Sequence, residues 1–284
     1  MQPQQRVKII VDSPSDIPLE WRAKWDIAVI PAFITFGTES YPDDDSALPK
    51  AAFYKRLAES KTLPGTAAPP ADLAEEIIRA QLVGAEHVIV FTVAHQFSSL
   101  YNSIRLAGQR VDAQRVTVID SGSVSMGEGW QALAAAEVAA RGGSKEEAIA
   151  AARSARDRIS LLAVLDTLEN LRRGGRISTL VAGLGAILQI KPIFEVREGS
   201  VEAIARVRTL GKGMQYLIDE TRKRAPLERV ALLHTNAPHL AEQLRVALAD
   251  VLPAPEYVTM FDITTAIGTH IGPGCAGVIA VRKE

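Results

Sequence analysis

Short β-branched runs alternate with longer amphipathic stretches through the first 160 residues, and this alternation constrains the fold more than any other feature of the chain. Residues 7–11 (VKIIV) stop at Asp12-Ser13, residues 27–36 give a second extended run, and residues 87–93 and 116–119 follow. Helical patterns fill the intervals at 49–59, 71–82, 98–111 and 129–141. Strands separated by helices of about ten or more residues read as βαβ units, and hence as an α/β fold with a parallel sheet. A further helix at 145–159 follows the Gly142-Gly143 stop. The break after it predicts a boundary between an N-terminal α/β domain, residues 1–159, and a C-terminal domain, residues 160–284.

The second half reads differently. Residues 193–197 and 201–208 flank Glu198-Gly199-Ser200, which predicts an antiparallel hairpin. Apolar runs at 161–165, 230–233, 257–263 and 278–281 add strands, and helices are expected at 214–224 and 239–252. Hairpin plus helices on one sheet predicts a smaller α+β layer sandwich.

Charge and cysteine usage exclude several classes. Thirty-two Lys and Arg against thirty-three Asp and Glu leave a net charge of −1, which argues against a general nucleic-acid coat. The single cysteine, Cys275, rules out an internal disulfide framework and points to a reducing compartment. The opening MQPQQRVKIIVDS lacks a signal peptide's apolar core, and no run reaches the roughly 20 apolar residues that span a bilayer. The expectation is a soluble cytoplasmic protein without stable membrane insertion.

Most familiar catalytic signals fail on context. Gly272-Pro273-Gly274-Cys275-Ala276-Gly277 has GxGxxG spacing but precedes a strand, where a dinucleotide site must follow one, so a tight glycine turn is the better reading. Ser123-Val124-Ser125-Met126-Gly127 resembles a nucleophile elbow with serine in place of its first glycine, and a helix N-cap is preferred. The five histidines show no metal-binding spacing, with His234 and His239 the weak exception. His87 reads as a satisfied core residue and Asp43-Asp44-Asp45 as a solvated loop. What remains is a set of polar residues at the ends of expected elements: Thr66 in a Pro-rich loop, Ser98 opening a helix after a strand, Arg176 closing Arg172-Arg173-Gly174-Gly175-Arg176, and His270 before the glycine turn. Two hydroxyls, a helix N-terminus and a histidine suit one carboxylate or phosphate. Each also has a plain reading as cap, turn or loop residue.

Taken in chain order, these segments are similar to the DegV family, the bacterial fatty-acid-binding proteins that include the FakB subunits of fatty acid kinase. Val11-Asp12-Ser13-Pro14-Ser15-Asp16-Ile17-Pro18 resembles the family's VTDSSADLP, and the loop 64–70 resembles PxTSQPS. Phe97-Ser98-Ser99-Leu100-Tyr101-Asn102-Ser103 stands where the family has LSGTYQS. Asp120-Ser121 with Ser125, Gly127 and Gly129 fits DSxxxSxGxG. Leu171-Arg172-Arg173-Gly174-Gly175-Arg176-Ile177-Ser178 is similar to LxRGGRIS, Lys191-Pro192-Ile193 follows it, and His270-Ile271-Gly272-Pro273-Gly274 matches HxGPG.

The resemblance implies an N-terminal three-layer α/β domain with a parallel sheet and a C-terminal two-layer α+β sandwich domain, with the ligand between them. It also implies a carrier with no catalytic residues, metal or cofactor of its own. Such a carrier encloses a long-chain fatty acid and presents its carboxylate to a partner fatty acid kinase subunit. Carboxylate contacts carry over to Thr66, Ser98 and His270, and Arg176 would face an anion or the kinase. Val181, Leu184, Ile187 and Leu188 are candidates for the tunnel wall, although their spacing suits plain core packing equally well. Burial of about 0.8 kcal/mol per methylene gives a long acyl chain on the order of 10 kcal/mol before ordering costs. The chain departs from the family at Thr66-Ala67-Ala68-Pro69-Pro70, which lacks two hydroxyls and an amide, and at Phe97–Tyr101, which lacks a glycine and a threonine. Two other readings stay open. One is an acyl hydrolase using Ser98 or Ser125 with His270, for which no third member orients the histidine. The other is a regulator binding a small phosphorylated ligand at residues 172–176, where Gly174-Gly175 suits an anion nest.

Overall fold

The computed structural model describes residues 6–175 and 190–284, so Arg176, Val181, Leu184, Ile187 and Leu188 lie outside the described residues. The chain divides into two compact units, one of Met1–Phe33 and Ala67–Asp157, the other of Ile34–Thr66 and Arg158–Glu284. The single boundary expected after residue 159 therefore misses an excursion: residues 34–66 group with the second unit. The cause is local. The extended run at 27–36 breaks at Pro31-Ala32, leaving β2 (Ala28–Ile30) in the first sheet while β3 (Phe33–Phe36) joins another.

The first unit is built on β2 together with β1 (Val7–Asp12), β6 (His87–Thr92) and β7 (Val116–Asp120), all parallel and ordered β2-β1-β6-β7. β6 is buried at every residue and β1 at all but Lys8, which is why both read as continuous apolar runs rather than alternating ones. α3 (Ala71–Leu82) turns Ala74, Ile78 and Leu82 inward at helical spacing and packs on α4 (Leu100–Asp112), which lies on β7. α5 (Met126–Ala140) lies on β1 and β6 and is joined by α1 (Leu19–Trp25), whose Trp21 ring sits 5.3 Å from that of Trp130. α6 (Lys145–Arg158) presents the buried alanines 148, 152 and 155. The result is a three-layer α/β unit. Its strand order reverses between β1 and β6, and in open α/β sheets ligands bind outside the carboxyl ends of the strands at such a reversal.

The second unit carries a six-stranded sheet of β8 (Ile159–Val164), β9 (Lys191–Arg197), β10 (Ser200–Val207), β11 (Leu227–His234), β12 (Val258–Asp262) and β13 (Ala276–Arg282), ordered β10-β9-β8-β13-β11-β12. Only β11 and β12 pair in parallel. The expected hairpin is β9–β10, and Glu198 (φ 49°) with Gly199 (φ 76°) gives it the twist of a type I′ turn. Two helices, α8 (Leu210–Lys223) and α9 (Pro238–Ala247), cover the sheet over a core that includes Leu162, Val164, Ile193, Leu217, Leu232 and Val278. This is the two-layer sandwich. The excursion adds a three-stranded sheet ordered β4-β3-β5, with β4 at Glu39–Pro42 and β5 at Gly65–Ala67. Its helix α2 (Lys50–Glu59) brings Phe53 against Phe36 and Tyr54. Two short helices, α7 (Glu169–Arg173) and α10 (Thr265–Ile271), complete the unit. Among the described residues, no helix is long and apolar enough to cross a membrane.

Candidate functional site

In the second unit the structure brings together two of the expected residues, 204 positions apart. Thr66 Oγ1 lies 2.9 Å from His270 Nε2, and both side chains are half-buried. Thr66 is on β5, not in an irregular loop. A Gly-Thr-Ala segment among prolines has little strand propensity, and pairing in the β4-β3-β5 sheet overrides it. His270 occupies the last turn of α10 rather than a loop.

That helix is held from both ends by residues distant in sequence. Buried Asp43 accepts the Thr265 hydroxyl at 2.7 Å and the Ala266 amide at 3.2 Å, placing a carboxylate at the helix N-terminus. Of the acidic run, then, Asp43 is not solvated. Asp44 holds a local turn by accepting the Ser46 amide at 2.9 Å. At the other end, Asn170 Nδ2 donates to the Thr269 carbonyl at 3.1 Å. Gly272 ends the helix with φ +73°, and a Cβ there would stand 3.0 Å from the Asn170 side chain.

The arginine-glycine segment packs beside this helix. A Cβ on Gly174 would lie 3.2 Å from His270 Nδ1 and 3.1 Å from the Asn170 carbonyl, so the glycine lets the histidine ring approach α7 closely. The nest expected at Gly174-Gly175 is engaged otherwise: Gly174 N–H donates to Asn170 at 2.8 Å and Gly175 N–H to Arg172 at 3.3 Å, capping α7. Arg172 pairs with Glu169 at 2.8 Å and holds that carboxyl below its ordinary value. Arg173 donates to the Lys61 carbonyl at 2.8 Å, tying the segment to the approach to β5. These engagements occupy the two glycine amides and part of the guanidinium donors that the phosphorylated-ligand reading invoked at 172–175.

In the first unit, Ser98 lies half-buried between β6 and α4, at the carboxyl edge of the sheet. Ser99, not Ser98, is the N-cap of α4 and makes no side-chain capping bond; Ser98 Oγ accepts the Leu100 amide at 3.2 Å in a local turn just before it, and its hydroxyl proton can still be donated. Two features there escaped the sequence reading. His95 hydrogen-bonds the Asp120 carboxylate through Nδ1, joining the loop after β6 to the end of β7. Glu128, fully buried in the first turn of α5, meets Asp12 at the end of β1.

Ser125 stands at the N-cap position of α5 but makes no capping bond, because its Oγ donates to Asp16 Oδ2 at 2.5 Å. Its backbone is strained (φ 57°, ψ −146°) at a strand-to-helix turn, as an elbow requires. The hydroxyl, however, is 2% exposed and bonded to a carboxylate rather than to a histidine. His87 is buried and bonded to Thr117 Oγ1 at 2.8 Å, and burial lowers its pKa. Cys275 is buried, which pushes its thiol up to about 12. Among the described residues, no group of three or more His, Cys, Asp or Glu could hold a metal ion.

Comparison with known proteins identifies the family. A family model for DegV, described as uncharacterised proteins of that family, matches residues 6–283. A DegV domain-containing protein of Caldanaerobacter subterraneus subsp. tengcongensis is 33% identical over 282 residues, covering 98% of this chain and 100% of the relative. Among solved structures, a fatty-acid-binding DegV family protein from Thermus thermophilus is 27% identical with a TM-score of 0.87, over 98% of this chain and 100% of that one. DegV from Bacillus subtilis, described as a fatty acid binding protein, is 26% identical with a TM-score of 0.85, over the same 98% and 100%. With the model match running almost from end to end, this chain belongs to the DegV family.

Proposed function

We propose that this protein binds a long-chain fatty acid, encloses its acyl chain, and presents its carboxylate to a partner fatty acid kinase. The Thr66–His270 hydrogen bond carries the reading. When His270 Nε2–H donates to Thr66 Oγ1, the threonine hydroxyl keeps its own proton for an anion, and the histidine fixes where that proton points. A hydroxyl oriented in this way is a donor for a carboxylate. Ser98, with its hydroxyl proton available, is proposed as a further carboxylate contact, and Arg176 as the residue facing an anion or the kinase. Leu184, Ile187 and Leu188 are proposed for the tunnel wall on their sequence alone. The fatty acids bound by the Thermus thermophilus and Bacillus subtilis relatives support this ligand class.

In this reading the chain supplies no catalytic residue and needs no cofactor. The kinase transfers the γ-phosphoryl group of ATP to a carboxylate oxygen, forming the acyl phosphate and releasing ADP. With a nucleotide-dependent partner, the cytoplasm is the proposed location. The test is to mix fatty-acid-loaded protein with ATP and a fatty acid kinase subunit and trap acyl phosphate with hydroxylamine. Hydroxamate that requires both proteins is expected. Retained fatty acid with no hydroxamate would remove the kinase role and leave the binding role standing.

A further inference from the structure

We propose that Glu128 is a positioning residue for the loop that carries Ser98, acting through the bridge from Asp12 to Val93. The inference rests on the reading of Ser98 as a ligand contact. Glu128 is 0% exposed, with both carboxyl oxygens shut off from solvent. Its neighbour is the carboxyl group of Asp12, which is equally buried and whose Oδ1 is likewise shut off from solvent. Asp12 Oδ2 in turn accepts the Val93 N–H at 2.9 Å, across the point where the strand order reverses. The next residue, Ala94, donates to the Ser123 carbonyl at 2.8 Å, and its own carbonyl accepts the amides of Phe97 at 2.9 Å and Ser98 at 3.3 Å. A contiguous path therefore runs from Glu128 to Ser98 within one unit.

Two carboxyl groups this close, away from water, do not both ionise. Asp12 accepts the Val93 amide through Oδ2. Glu128 holds the proton, its pKa raised first by burial, then by the charge and hydrogen bond of Asp12, then by the charge of Asp16. The Asp12 amide opposes this and contributes least. The elements packed against α5 bring other charged or titratable groups: Glu20, Arg22 and Lys24 on α1, Lys8 on β1 (paired with Asp26), and His87 on β6 (bonded to Thr117). None of these is among the causes acting on Glu128.

The sign follows from linkage. A carboxyl group whose folded pKa is raised gives the folded state an extra bound proton above the ordinary carboxylate value. Its stabilisation is complete below that value and is lost as pH rises through the folded pKa. Loss of the proton sets two buried negative charges together and loosens the Asp12–Val93 bridge. Glutamine at position 128 keeps the shape and a donor and cannot ionise.

The experiment is amide hydrogen exchange on the full chain after its bound fatty acid has been stripped off, from pH 6 to 9, corrected for intrinsic exchange. Protection of residues 93–98 in the native protein is expected to fall by up to tenfold per pH unit over the titration window. Glu128→Gln is expected to stay flat. A flat native profile would overturn the proposal by itself, even if the variant did not fold, and so would a Glu128→Gln profile that falls like the native one. Because no lipid is present, the result does not depend on the fatty-acid reading, which fails separately if Ser98→Ala retains its ligand normally.

Discussion

Replacing His270 by alanine is expected to weaken retention of a long-chain fatty acid by roughly 10- to 100-fold while leaving the fold intact, as judged by circular dichroism and ligand titration. Hydrogen bonds to charged groups contribute about 1.5–3 kcal/mol, and each 1.4 kcal/mol is about tenfold in affinity. His270 acts through Thr66, so its loss frees the threonine hydroxyl to rotate rather than removing it. Thr66→Val should therefore weaken binding at least as much, and the double variant little more than Thr66→Val alone, because the two residues form one unit. Ser98→Ala removes a separate donor, and its loss should add to theirs. Unchanged affinity in both His270→Ala and Ser98→Ala would remove the carboxylate assignment.

The second large effect concerns stability. Leu217 is fully buried in α8, within the core between the helices and the six-stranded sheet. Leu217→Ala deletes its buried methyl and methylene groups and leaves a cavity that the sheet cannot fully close. The expected cost is about 2–5 kcal/mol, read from urea unfolding as a lower midpoint. A loss under about 1 kcal/mol would contradict the packing of α8 against β8, β9 and β13, since only a site free to collapse escapes the cavity cost.

Much of the fold was legible because the central strands write their environment into their composition. β1 and β6 are covered on both faces and read as unbroken apolar runs, and the Glu198-Gly199 turn marks its hairpin through two left-handed residues. β5 and α10 were not legible. A Gly-Thr-Ala strand and a helix of threonines, glycine and isoleucine have weak local preferences, and what fixes α10 is Asp43, 222 positions before Thr265. The excursion at 34–66 was hidden for a related reason: a proline breaks an apolar run without showing that the two halves join different sheets.

The site divides in the same way. The proposed head-group residues Thr66 and His270 could be named from their motifs, but not their contact or the helix and strand that present them. The His95–Asp120 pair spans two adjacent parallel strands and leaves no local pattern. Glu128 did leave a signal, a charge among small and apolar residues in MGEGWQALAAAEVAA, where a solvated helix would show a polar face. The sequence of residues 172–176 invited an anion-binding reading. The structure uses the described part of that segment to cap α7 and to neutralise Arg172.

The central claim is best tested by purifying the protein without added lipid, extracting it with organic solvent and analysing the extract by mass spectrometry. A long-chain fatty acid near one equivalent per chain is the predicted result, and its mass gives the preferred chain length directly. An extract without fatty acid, from protein that also takes up none on titration, would contradict it.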